Sequence, residues 1–138
     1  MFDLTTSFGK LVTRRLEDER IIWLTTVDVH RKPQPRPVWF LWDGKTILIF
    51  SREAGYKVKH IQNNPMVSLN LDSDGKGGNI VVLLGEASLE NSPIPTEQIE
   101  RYLEKYNQGL ERINMTPDEF QSNYSIAIRI TLTSMRGH

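Results

Sequence analysis

The chain has 138 residues, no cysteine, and equal numbers of acidic and basic residues, 17 of each. Its length suits one domain that buries enough surface to fold unaided, and the missing cysteines exclude disulfides, thiolate metal sites and cysteine nucleophiles. Zero net charge speaks against general nucleic-acid binding, and the longest apolar runs, such as Ile80–Leu84, are far too short to span a bilayer.

The first ten residues carry Asp3 and Lys10 and lack an apolar core of signal-peptide length, so a cytoplasmic protein is expected. Leu4–Glu19 then reads as a helix, with Phe8, Leu11, Val12 and Leu16 on one face and Thr6 or Ser7 as its cap. Ile21–Val29 is rich in β-branched residues and reads as a strand. After the turn His30-Arg31-Lys32-Pro33, the next strand is Gln34–Trp42, with Pro33, Pro35 and Pro37 at its entry, where a ladder donor is dispensable. Asp43-Gly44 is a hairpin signal, and Thr46–Ser51 is the returning strand.

Tyr56–Asn63 suggests a short helix stopped by Asn63-Asn64-Pro65. Met66–Leu71 is a strand, residues 72–79 a glycine-rich loop, and Ile80–Leu89 a long strand. Thr96 to about Ile113 reads as one helix, although Gly109 is a potential break. Thr116-Pro117-Asp118-Glu119 is a capping box that opens a short helix through Phe120. Ser125–Thr133 alternates like a final strand. Six strands and about four helices result. Short connections between the first three strands favour antiparallel pairing.

Val38–Trp42 and Ile80–Leu84 are apolar on both faces. One face fills a barrel interior. Helices cover part of the other, and a second copy of the chain is the natural cover for the remainder, so a homodimer is expected.

The three histidines, His30, His60 and His138, form neither a nucleophile-elbow arrangement nor an i, i+4 metal pair, so no metal is expected. The glycines at 75, 77 and 78 precede no helix and match no dinucleotide or P-loop pattern. Charge is uneven along the chain. Residues 1–60 carry 11 lysines and arginines against 7 acids, a balance that suits an anionic small ligand. Within them, Ser51 at a strand end and Lys57 and Lys59 at a helix start are placed to meet a phosphate. Counting back across the Asp43-Gly44 hairpin brings Arg36 to the same end.

Arg36-Pro37-Val38-Trp39-Phe40-Leu41-Trp42, Phe50-Ser51, Lys57 and Ile61-Gln62-Asn63-Asn64-Pro65-Met66-Val67-Ser68-Leu69 together resemble the pyridoxamine 5′-phosphate oxidase-like family of FMN-binding split barrels. The resemblance runs from about Glu17 through Leu89 and includes the final strand. Residues 72–85 and 124–138 are most similar to a subgroup assigned to deazaflavin (coenzyme F420) chemistry.

The resemblance implies a mainly β fold with flanking helices, a single six-stranded antiparallel split β-barrel over 1–138. It also implies a homodimer with cofactor sites at the interface. FMN phosphate would meet Arg36 and Lys57, the ring would run along Pro37, Val38 and Trp39, Phe50 and Ser51 would line the cofactor, and Asn79 would approach the ring edge. Tyr56 stands where true pyridoxamine phosphate oxidases carry an arginine, and it is taken as a cofactor-side residue and a candidate substrate contact. Leu41 replaces a family lysine, and the substrate-phosphate residues near the C-terminus have no clear counterpart. These departures speak against pyridoxamine phosphate oxidation itself.

The expected function is a flavin-dependent oxidoreductase on a small-molecule substrate, with no side chain singled out as acid or base. Coenzyme F420 is the alternative cofactor, its acidic tail served by Arg31, Lys32, Arg52 and Lys59. A non-catalytic flavin-binding module is the third reading.

Overall fold

In the computed structural model, which describes residues 2–138, the first helix α1 (Ser7–Asp18) is capped by Thr6, whose Oγ1 accepts from the Gly9 N–H at 3.0 Å. The strands are β1 (Ile22–Val27), β2 (Pro33–Val38), β3 (Leu41–Trp42), β4 (Thr46–Ser51), β5 (Met66–Asn70), β6 (Val81–Leu89) and β7 (Ile126–Gly137). Helix α2 (Tyr56–Asn63) joins β4 to β5. Helices α3 (Thr96–Lys105), α4 (Asn107–Arg112) and α5 (Pro117–Asn123) lie between β6 and β7. All strand pairs are antiparallel, in the order β2-β1-β5-β6-β7-β4-β3, and the sheet curls into a split barrel. No helix among the described residues is long and apolar enough to cross a membrane.

Seven strands replace the expected six because Gln34–Trp42 is not continuous. It breaks at Trp39-Phe40, and its halves lie at opposite edges of the sheet order, β2 beside β1 and β3 beside β4. The long helix expected over Thr96–Ile113 also breaks, at Tyr106 rather than Gly109. The two breaks meet. The Phe40 N–H donates to the Tyr106 hydroxyl at 2.7 Å, and that hydroxyl lies 2.8 Å from the carbonyls of Phe40 and Arg20. Lys105 Nζ donates to the Phe40 carbonyl at 2.9 Å. Buried backbone polar groups need partners. Here side chains at the α3–α4 junction supply those that a strand ladder otherwise gives.

Two apolar clusters fill the molecule. Inside the barrel, Leu24, Ile49, Leu69, Leu83, Ile128 and Ile130 pack with Val12 and Leu16 of α1. Outside it, Leu41 and Leu48 pack with Tyr102, Tyr106, Leu110 and Phe120 from α3–α5. The outer face farther along the sheet differs. Registered residues share a face, so Thr25, Ser68, Leu84 and Ser134 form one outward row across β1, β5, β6 and β7. Leu84 keeps 40% of its surface exposed there.

Candidate functional site

Strand β4 ends at Ser51, and the chain turns through 52–55 into α2. The turn is closed by Gly55 N–H donating to the Arg52 carbonyl at 3.0 Å. Gly55 is needed for a close approach. A β-carbon on it would lie 2.8 Å from Ser51 Oγ and 3.9 Å from Lys57 Nζ. Ser51 and Lys57 therefore converge on one corner. Ser51 is fully buried, and its hydroxyl donates to the Arg52 carbonyl at 3.1 Å. It supports the corner from behind.

Lys57 is half-buried and forms no ion pair among the described residues. Burial, and then the nearby Arg36 guanidinium, hold its pKa below the ordinary 10.5. Two uncompensated cations facing each other, one of them partly desolvated, are stabilised by a bound anion.

Arg36 reaches this corner by a route the sequence reading did not foresee. Its hairpin partner is Leu24 on β1, and β4 pairs with β3 only as far as Leu41. Arg36 does reach the end where Ser51 lies, but the expected route through the Asp43-Gly44 hairpin is wrong. Arg36 sits on the opposite edge strand, and the curl of the sheet carries it back to α2.

Arg36 and Lys57 line a cleft of about 670 Å³ together with Arg52, Tyr56, His60 and Tyr124. Tyr56 is 74% exposed at its rim. Thr26, Asp28 and Gln34 also line it. Asp28 forms no ion pair with either cation among the described residues. It accepts from the N–H groups of His30 and Lys32 at 2.8 and 2.9 Å and from Gln34 Nε2 at 3.0 Å.

A second hollow of about 300 Å³ shares Lys57 and Tyr124 with the cleft and runs along Pro37, Val38 and Trp39, with Phe50 and Phe120 opposite. Its aromatic walls are fixed. Trp39 stacks on Tyr106 with centroids 4.6 Å apart and planes 6° apart, and Phe50 meets Tyr102 edge-on at 4.8 Å. Gly109 makes room for Trp39, since a β-carbon there would lie 2.9 Å from the indole. An anion corner thus opens onto a flat apolar slot. That arrangement suits a molecule carrying a phosphate at one end and a planar ring at the other.

Of the residues expected at the site, Arg36, Tyr56 and Lys57 line the cleft, and Pro37, Val38, Trp39 and Phe50 line the slot. Asn79 lies elsewhere within the chain. It is exposed at φ 56°, and its carbonyl accepts from Arg15 Nη1 at 2.6 Å. Two residues went unread. Tyr124 lines both cavities, stacks on Phe120 at 4.8 Å and lies beneath the Arg52 guanidinium at 5.1 Å. Its i, i+4 spacing from Phe120 was the available signal. His60 lies one turn after Lys57, with Nδ1 2.7 Å from Thr26 Oγ1. No group of three metal-binding side chains occurs among the described residues.

A family model described as pyridoxamine 5′-phosphate oxidase matches residues 9–136. No curated protein sequence matches the chain. Among solved structures, a Listeria innocua protein provisionally named pyridoxamine 5′-phosphate oxidase is 24% identical, with TM-score 0.71, over 92% of this chain and 94% of that one. An F420 reductase is 20% identical, with TM-score 0.66, over 89% and 94%. An FAD-binding protein from Mesorhizobium loti is 17% identical, with TM-score 0.67, over 92% and 89%. At these identities each likeness speaks for the fold.

Proposed function

The chain belongs to the pyridoxamine 5′-phosphate oxidase family, and from this premise we propose that it is a flavin-dependent oxidoreductase that binds FMN at a homodimer interface. The observation that carries the reading is the uncompensated Arg36–Lys57 pair opening onto the slot along Pro37–Trp39. Arg36 and Lys57 hold the phosphate by charge-assisted hydrogen bonds. Trp39, Phe50 and Tyr124 exclude water from the ring. The flavin supplies the redox chemistry, and the protein supplies binding, orientation and a low-dielectric wall. Leu84, the exposed apolar member of an otherwise half-buried outward row, supports pairing with a second copy.

The size of the cleft favours one second reading. At about 670 Å³ it exceeds what a phosphate needs, and it extends past the cation pair to Gln34 and His60, with Arg52 alongside. Such a groove has room for the tail of coenzyme F420, although of the four cations expected to serve it only Arg52 lines the cleft, and Arg31, Lys32 and Lys59 lie exposed outside it. The absorption spectrum of freshly purified protein, followed by competition between FMN and F420 read by fluorescence, separates the two. A flavin spectrum with FMN winning the competition is expected. A colourless protein that takes up neither cofactor contradicts both readings.

A further inference from the structure

The aromatic wall of Phe50, Phe120 and Tyr124 has two sides. One faces the slot along Pro37–Trp39. The other faces a separate hollow of about 360 Å³, lined by α3, α5, the 90–95 connection and the start of β7. We propose that this second hollow is a binding site for a neutral, mostly apolar molecule of about two rings.

Lining decides the polarity of the ligand. Leu89, Ile94, Ile99, Leu103 and Ile126 all face the hollow, and all are only half-buried. The domain's own packing leaves their apolar surface wet, and covering it is favourable. Size decides the number of rings. A dry protein cavity of about 150 Å³ admits benzene, and this hollow is more than twice that, within the range of small-molecule sites.

Charge decides the class. Glu90 lines the hollow, but its carboxylate accepts from Arg129 Nε at 2.7 Å. Arg129 is itself held by Asp43 at 3.1 Å and Gln98 at 3.0 Å. Among the described residues no lysine or arginine lines the hollow, so no unpaired cation there attracts an acid. The exposed mouth carries Asn91, Ser92, Gln121 and Ser125, which suit a single hydroxyl or carbonyl group. The wall therefore divides two chemistries, a phosphate-bearing molecule on the side of Lys57 and an uncharged one behind Phe120. Binding in the second hollow stands without the flavin reading. The role of its occupant as the substrate, one side chain away from the ring slot, rests on that reading.

The full chain is titrated with 1-naphthol, with 1-naphthoate as the charged control, in the presence and absence of FMN. Naphthol fluorescence and methyl NMR shifts are followed. Naphthol is expected to move the methyls of Ile94, Ile99, Leu103 and Ile126, to bind roughly tenfold or more tightly than naphthoate, and to leave FMN bound. Ile99→Trp and Leu103→Trp each fill the hollow from α3. Either is expected to weaken naphthol binding roughly tenfold or more, with FMN affinity unchanged. The proposal is overturned by no naphthol binding, by shifts confined to other methyls, by naphthoate binding equally well, or by displacement of FMN. Should neither tryptophan variant fold, the wild-type shifts and the naphthoate control decide. Methyl shifts with naphthol in a protein that refuses FMN would sink the flavin reading and leave this site standing.

Discussion

The outer surface of the sheet is finished in two different ways. On β4 the outward Leu48 is fully buried in a cluster with Tyr102, Leu110 and Phe120, whereas on β6 the outward Leu84 keeps 40% of its surface exposed. Both strands carry apolar residues on both faces. An apolar run therefore announces that a strand wants covering on two sides, but not what covers it. Over β4 the chain supplies its own helices. Over β5 and β6 it leaves Leu84 exposed, and the slot shares Phe50, Tyr102 and Phe120 with the helix-covered part.

The difference can be broken by mutation, starting on the covered side. Leu48→Ala is expected to cost about 2–5 kcal/mol of folding stability, since a buried leucine is replaced by a cavity. Tyr106→Phe removes only an oxygen, yet it takes the hydroxyl partner from the Phe40 N–H and from the Arg20 carbonyl, while the Phe40 carbonyl keeps Lys105. About 1–3 kcal/mol is expected. Urea denaturation reads both. On the bare side, Leu84→Glu is expected to change single-chain stability by about 0.5 kcal/mol or less while abolishing dimers in sedimentation velocity. A loss as large as that of Leu48→Ala, with association unchanged, would erase the contrast.

Much of this was legible in the residues. The bounds of β4 and α2 follow from Asp43-Gly44 and from Asn63-Asn64-Pro65, because those signals act locally. The break at Trp39-Phe40 was not legible. Five apolar residues read as one strand, and the group that interrupts them, the Tyr106 hydroxyl, lies 66 residues away in sequence. The same non-local cause hid the route that brings Arg36 to the site. Its residue type pointed to a phosphate, but its route to Lys57 runs through the curl of the whole sheet and not through the nearest hairpin. Tyr124 was missed because α5 was read only as far as Phe120.

The smallest effect expected on the covered side is a pH dependence. Asp43 anchors the β3–β4 turn and accepts from Arg129 at 3.1 Å. Burial acts to raise its pKa, but the N–H groups of Thr46 and Lys45, the Thr46 hydroxyl and the Arg129 charge outweigh it, and the net value falls below the ordinary 3.8. A carboxyl depressed in the folded state contributes fully above its unfolded value and loses that contribution as pH falls through the folded one. Stability is therefore expected to decline below about pH 4. Asp43→Asn is expected to flatten that decline, and an unchanged slope in the acid-melting curve would remove Asp43 from the explanation.

Titration of the wild-type chain and of Lys57→Ala with FMN and with riboflavin, which lacks the phosphate, tests the cation-pair site most directly. The wild type is expected to prefer FMN, and Lys57→Ala to lose about 1.5–3 kcal/mol of FMN affinity while riboflavin affinity stays put. Equal affinity for the two flavins in the wild type, or an equal loss for both in Lys57→Ala, would contradict it.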